Sequence, residues 1–86
     1  MFTANDILAR VKRKPFVPVR IRTSDGEAYD VVHPDLIMVG RRALIVGTAS
    51  VEDPATFELT AQLSILHVAA IEDLPIAIAH GGNGQG

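Results

Sequence analysis

Three groups of residues in this sequence have types and spacing that could do chemistry. His33-Pro34-Asp35 sets an imidazole and a carboxylate two positions apart, a pairing able to move a proton or hold a metal. Arg10, Lys12, Arg13, Lys14, Arg20 and Arg22 put six cations within thirteen residues, the density that contacts to nucleic-acid phosphates require. Residues 81–86 read Gly-Gly-Asn-Gly-Gln-Gly, with the glycines of a phosphate-cradling loop.

Each group also has a plainer reading in backbone terms. Proline drives a sharp exit from a strand and Asp is a good turn residue, so His33-Pro34-Asp35 reads first as a strand-to-turn junction. His67 sits in an apolar segment and His80 in a glycine-rich end, so the three His have no metal-ligand spacing and no metal site is expected. Ser24, Ser50 and Ser64 lack the glycine pattern of a nucleophile elbow. The terminal glycines have no Lys and no strand-turn-helix context, and read as a tail. There is no Cys, which removes thiol chemistry, Cys-type zinc and disulfides. The expectation is a chain without catalytic residues or cofactor, and not an enzyme.

The elements that would position these groups are mostly strands. Residues 3–13 form a short helix: Thr3 and Asp6 stand at capping-box spacing, and Phe2 and Ile7 at the two positions of a hydrophobic staple. Its apolar stripe is Ile7, Leu8 and Val11, its cations gather in the last turn, and Pro15 stops it. From Phe16 the period changes to two, with Val17, Val19, Ile21 and Thr23 facing one way and Pro18, Arg20 and Arg22 the other. Pro18 cannot donate to a ladder and must lie at an edge or outside the paired region. A turn at residues 24–27, centred on Gly26, opposes Ile21 to Val31, Thr23 to Tyr29 and Arg22 to Asp30.

Two apolar runs, residues 36–39 and 43–48, flank Gly40-Arg41-Arg42 and read as a second hairpin that is buried on both faces or closes a barrel. Residues 49–56 form a surface loop and residues 57–61 a weakly alternating strand. Residues 63–66 form a tight helical turn, and residues 67–73 a closing strand. The expected fold class is mainly β with one N-terminal α-helix: a small SH3/Sm-like barrel, or a strongly bent antiparallel sheet of about five strands.

That element order resembles the Sm-like and wider SH3-like small barrels, over roughly residues 3–73. In wording, Lys14-Pro15-Phe16-Val17-Pro18, Asp25-Gly26, Val31-Val32-His33-Pro34-Asp35 and Ile65-Leu66-His67-Val68 resemble a group of short bacterial proteins that share PF-x-P, DG and V-x-HP motifs. The group implies no established activity. The Sm-like resemblance implies an RNA-binding role, with Arg10, Lys12, Arg13, Lys14, Arg20 and Arg22 as the phosphate contacts.

Composition bounds the rest. Eighty-six residues make a single domain, placed at residues 1–75, and its core must rest on aliphatic side chains because three Phe, one Tyr and no Trp supply little aromatic surface. All eight basic residues fall in residues 1–42, while residues 43–86 hold five acidic ones, so opposite patches could meet between subunits. No run approaches the roughly 18 apolar residues of a membrane span, and no leader pattern opens the chain, so the expected location is cytoplasmic with no membrane partner. Residues 76–86 are expected to be a flexible tail, beginning with an apolar edge, Ile76, Ala77, Ile78 and Ala79, suited to strand pairing. The function expected is a non-catalytic interaction module that self-assembles or binds a protein; the alternative is Sm-like RNA binding.

Overall fold

The N-terminal helix α1 (Ala4–Val11) starts at the cap read from the sequence. In the computed structural model, which describes residues 1–50, 52–53 and 56–75, Thr3 Oγ1 accepts the Asp6 N–H at 3.2 Å and Asp6 Oδ2 accepts the Thr3 N–H at 2.8 Å. Two donors that a helix start leaves unmatched are thereby satisfied reciprocally. The helix stops at Val11 rather than residue 13, with Lys12 as its C-cap, because Pro15 disfavours helical geometry at the residue before it and the chain turns away first.

The strands are β1 (Val19–Thr23), β2 (Ala28–Val31), β3 (Ile37–Val39), β4 (Ala43–Ala49), β5 (Phe57–Ser64) and β6 (Val68–Asp73). They form two three-stranded antiparallel sheets, ordered β2-β1-β6 and β3-β4-β5. The fold is thus mainly β with one N-terminal helix, and among the described residues no ladder closes the two sheets into a barrel. There are six strands rather than about five, and β2 and β3 are separated by a 3-10 turn (Pro34–Leu36) where Pro34 has no N–H to continue a ladder. Pro18 lies just ahead of β1, where its carbonyl accepts the Leu74 N–H at 2.8 Å, so a proline stands beside a central strand without interrupting it.

The first hairpin is shifted by two residues from the expected register. Val19 opposes Val31, Arg20 opposes Asp30, Ile21 opposes Tyr29 and Arg22 opposes Ala28. The loop is centred on Asp25, since Gly26, at φ 92°, takes the left-handed position that ends a three-residue hairpin loop, and Thr23 N–H bonds to the Glu27 carbonyl at 2.9 Å. A slip of two keeps every side chain on its face. The apolar face is therefore as expected, with Val19, Ile21 and Thr23 buried, and the ion pair moves from Arg22 to Arg20.

The core gathers Ile7 of α1, Val19 and Ile21 of β1, Val31 of β2, Leu44 and Val46 of β4, Leu63, Ile65 and Val68. Fully burying an aliphatic side chain of this kind contributes about 1.5–3 kcal/mol. The second hairpin is not buried on both faces: Leu44 and Val46 point inward, whereas Met38 and Ile45 are exposed. Nor does a helical turn begin at residue 63, because Leu63 and Ser64 continue β5 opposite Leu44 and Ala43, and the 3-10 turn comes afterwards (Ile65–His67). No helix among the described residues is long and apolar enough to cross a membrane.

Candidate interaction surfaces

The basic run is drawn apart by the fold and largely neutralised. Arg10 and Arg13 project from the end of α1 to one carboxylate, Asp73 at the end of β6, at 3.2 and 2.9 Å. Arg13 also donates to the Arg10 and Val17 carbonyls at 3.4 and 3.3 Å, bracing the segment that leads from helix to β1. These contacts hold the Asp73 carboxyl below the usual carboxylate range, chiefly through the Arg13 hydrogen bond, and raise Arg13 in return.

On the outer face of the first sheet, Arg20 forks onto Asp30 at 2.7 and 3.0 Å, and Arg22 reaches Glu72 at 3.1 Å. Arg20 stands directly opposite Asp30 on β2 and Glu72 on β6, and Arg22, opposite Ala70, reaches Glu72 along the diagonal. Four of the six expected phosphate contacts thus already hold carboxylates. Lys12 and Lys14 are exposed and have no ion partner among the described residues. The charge asymmetry between the two halves of the chain is partly cancelled within the molecule, as Glu72 and Asp73 pair with Arg22, Arg10 and Arg13.

The structure gives the histidines local roles. His33 Nδ1 accepts the Asp35 N–H at 3.1 Å and caps the first 3-10 turn, with the Asp35 carboxylate 3.7 Å away. That is the strand-to-turn junction read from the sequence. His67 is exposed, and its carbonyl accepts the Ser24 N–H at 2.8 Å, tying the second 3-10 turn to the first hairpin loop. In that loop the Thr23 hydroxyl and the Glu27 N–H bond to the Asp25 carboxylate and lower its pKa, the hydroxyl most strongly. Among the described residues, no three His, Cys, Asp or Glu side chains gather as a metal site. His80 and the apolar edge Ile76, Ala77, Ile78 and Ala79 lie outside the described residues.

What the sequence reading missed lies on the second sheet. Met38, Ile45 and Phe57 form an exposed apolar outer surface, with a groove of about 160 Å³ lined also by Leu36, Gly47 and Thr60. Beside it, β5 is the longest strand and is paired only with β4, its other edge carrying no ladder among the described residues. Its exposed residues include Leu59, at 71%. Arg41 and Arg42 cap the β3–β4 turn at one end of this sheet, exposed and without an ion partner among the described residues. Glu58 is exposed and likewise unpartnered at the other end.

A sequence signal existed for the turn, since Gly40-Arg41-Arg42 splits two apolar runs. None existed for the open edge, which depends on which strands become neighbours. In comparisons with known proteins, no family model, no curated protein and no solved structure matches this chain.

Proposed function

We propose that this chain is a non-catalytic, cytoplasmic interaction module that assembles with further copies of itself, and that β5 is the element through which it does so. The observation that carries this reading is the open edge of β5: a long strand with exposed Leu59, no Pro and no Lys, and no covering element among the described residues. Unpaired strand edges template pairing with another chain unless charge, proline or a bulge blunts them; on β5 the charge of Glu58 and the bulge facing Thr48 and Ala49 fall at its start, and residues 59–64 run in unbroken register. A domain of this size also buries a modest core, so a second copy adds stability that the single chain lacks.

The small-barrel reading, SH3- or Sm-like, fits the strand path. β1 is shared between β2 and β6, β3 continues where β2 breaks at Pro34, and a 3-10 turn precedes the last strand. The kinship with short bacterial proteins carrying PF-x-P, DG and V-x-HP motifs belongs to the same proposal. RNA binding is the weaker reading, because Arg10, Arg13, Arg20 and Arg22 are engaged by carboxylates and give up part of their attraction for phosphate.

Native mass measurement and light scattering across protein concentration test the proposal. A dimer or larger species that grows with concentration is expected, and a monomer at every concentration would remove the claim. Salt-sensitive retardation of single-stranded RNA at low ionic strength would instead favour the nucleic-acid reading.

A further inference from the structure

We infer that the partner seated on β5 is the β5 strand of a second copy, antiparallel, about a twofold axis passing at Ala61. This rests on the self-assembly reading above and goes beyond it by fixing symmetry and register. The other strand edges are less suited. β3 has three residues with α1 packed against it, and β2 has four. β6 ends in Glu72 and Asp73, both held by arginines.

The faces of β5 restrict how two copies can pair. Leu59, Ala61 and Leu63 share the face of the buried Leu44 and Val46, because they stand opposite Thr48, Val46 and Leu44; Thr60, Gln62 and Ser64 take the other face, and Glu58 sits at the bulge without a partner on β4. A twofold axis normal to the sheet keeps each face on its own side, so apolar must meet apolar. A slip of one residue would set leucine against glutamate or glutamine.

Any axis at a residue satisfies this, and the two that overlap the most of β5 pass at its central residues, Thr60 and Ala61. The Ala61 register opposes Leu59 to Leu63 of the second copy and Thr60 to Gln62, and brings Glu58, at the bulge, to the neighbourhood of Ser64. It lays the 71%-exposed Leu59 against another leucine, where the Thr60 register offers it only Ala61.

Charge makes the same choice. Ser64 stands opposite Ala43, next in the chain to Arg41-Arg42, and the Ile65 N–H bonds to the Arg42 carbonyl at 2.9 Å. An antiparallel copy therefore brings Glu58 to the basic end of the second copy, roughly 10 Å away across one intervening strand, within reach of two long side chains. By symmetry the contact is made twice. In the Thr60 register Glu58 stops two residues short, displaced by roughly 6.6 Å along the strand. The product is a continuous six-stranded sheet, β3-β4-β5-β5-β4-β3, built from the two three-stranded sheets.

The absence of Cys makes the register directly readable. Opposed residues in an antiparallel pair lie about 4.5–5.5 Å apart between Cα atoms, within disulfide range. Under mild oxidation, single cysteines at positions 59 to 63 are expected to cross-link into dimers most strongly as Ala61→Cys, because only the axial residue meets its own copy. Thr60→Cys and Gln62→Cys, both at exposed positions, should link poorly alone and well when mixed, which keeps the test valid if Ala61→Cys folds badly. Separately, Glu58→Arg should weaken dimerisation severalfold, and Arg41→Glu with Arg42→Glu in the same chain should restore it.

Strongest linkage at Thr60→Cys would overturn the register. No linkage at any of the five positions, with an oligomer still present by native mass, would overturn the geometry and leave self-assembly standing. A monomer throughout would remove both.

Discussion

Phe57 lies directly over Gly47: a methyl group added at Gly47 would fall 2.8 Å from the Phe57 Cβ and 3.5 Å from a Leu36 methyl carbon. The close approach follows from the bulge between Thr48 and Ala49, which carries Phe57 onto the outer surface of the second sheet opposite Ala49. A Cβ is fixed to its backbone and cannot rotate aside, so relief requires β4 and β5 to separate. Gly47→Ala is expected to cost about 1–3 kcal/mol in urea unfolding, the range of overpacking in a tight site. In a Phe57→Gly background the penalty should shrink, and an equal penalty there would show that the strain arises elsewhere.

The clamp of Arg10 and Arg13 on Asp73 should make stability sensitive to acid. The Asp73 carboxyl is held below its ordinary value first by the Arg13 hydrogen bond, opposed by partial burial and helped by the charges of Arg13 and Arg10. A carboxyl with a depressed folded pKa contributes stability that is fully present above its unfolded pKa, roughly 3.9, and is lost as pH falls through the folded value. Thermal unfolding is therefore expected at lower temperature as pH drops below about 4. Asp73→Asn should lower the melting temperature at neutral pH and flatten its acid dependence. An unchanged acid slope would assign that dependence to other carboxylates, Asp25 first, since its pKa is lowered in the same sense.

Gly26 isolates backbone strain from packing. Its φ is 92° and nothing lies within 4 Å of where a Cβ would stand. Gly26→Ala should cost about 1 kcal/mol through conformation alone, and Gly26→Asn less, because Asn tolerates the left-handed region better. Equal costs for the two, measured by denaturant unfolding, would contradict a conformational origin.

Leu44 sits fully buried in the middle of the second sheet, opposite Leu63 and Val39. Leu44→Ala is expected to cost about 2–5 kcal/mol by leaving a cavity between the sheets. Thr3→Ala, which removes only the helix cap, should cost about 1 kcal/mol. Circular dichroism with chemical unfolding would rank them, and a reversed order would mean that α1, rather than the sheet packing, anchors the core.

The features legible in the sequence are those decided within a few residues. The Thr3–Asp6 capping box, the inward face of Val19, Ile21 and Thr23, the loop glycine at position 26 and the His33-Pro34 junction each follow from a local rule of hydrogen bonding, period or allowed dihedral angle. Face and period survive even where register failed, because a slip of two residues moves Arg20 rather than Arg22 to Asp30 without turning any side chain over.

Tertiary structure alone decided what depends on neighbours distant in the chain. Asp73 lies 63 residues from Arg10, and no spacing rule joins them. The basic run read as one patch became four paired arginines and two lysines without an ion partner among the described residues once β2 and β6 were laid beside β1. Among the described residues the far edge of β5 carries no ladder, since β6 pairs with β1 instead. Local sequence determines which way each residue faces through the geometry of one strand or one turn; which edges and charges stay unmatched is set by the order of strands in space, a property of the whole chain's packing.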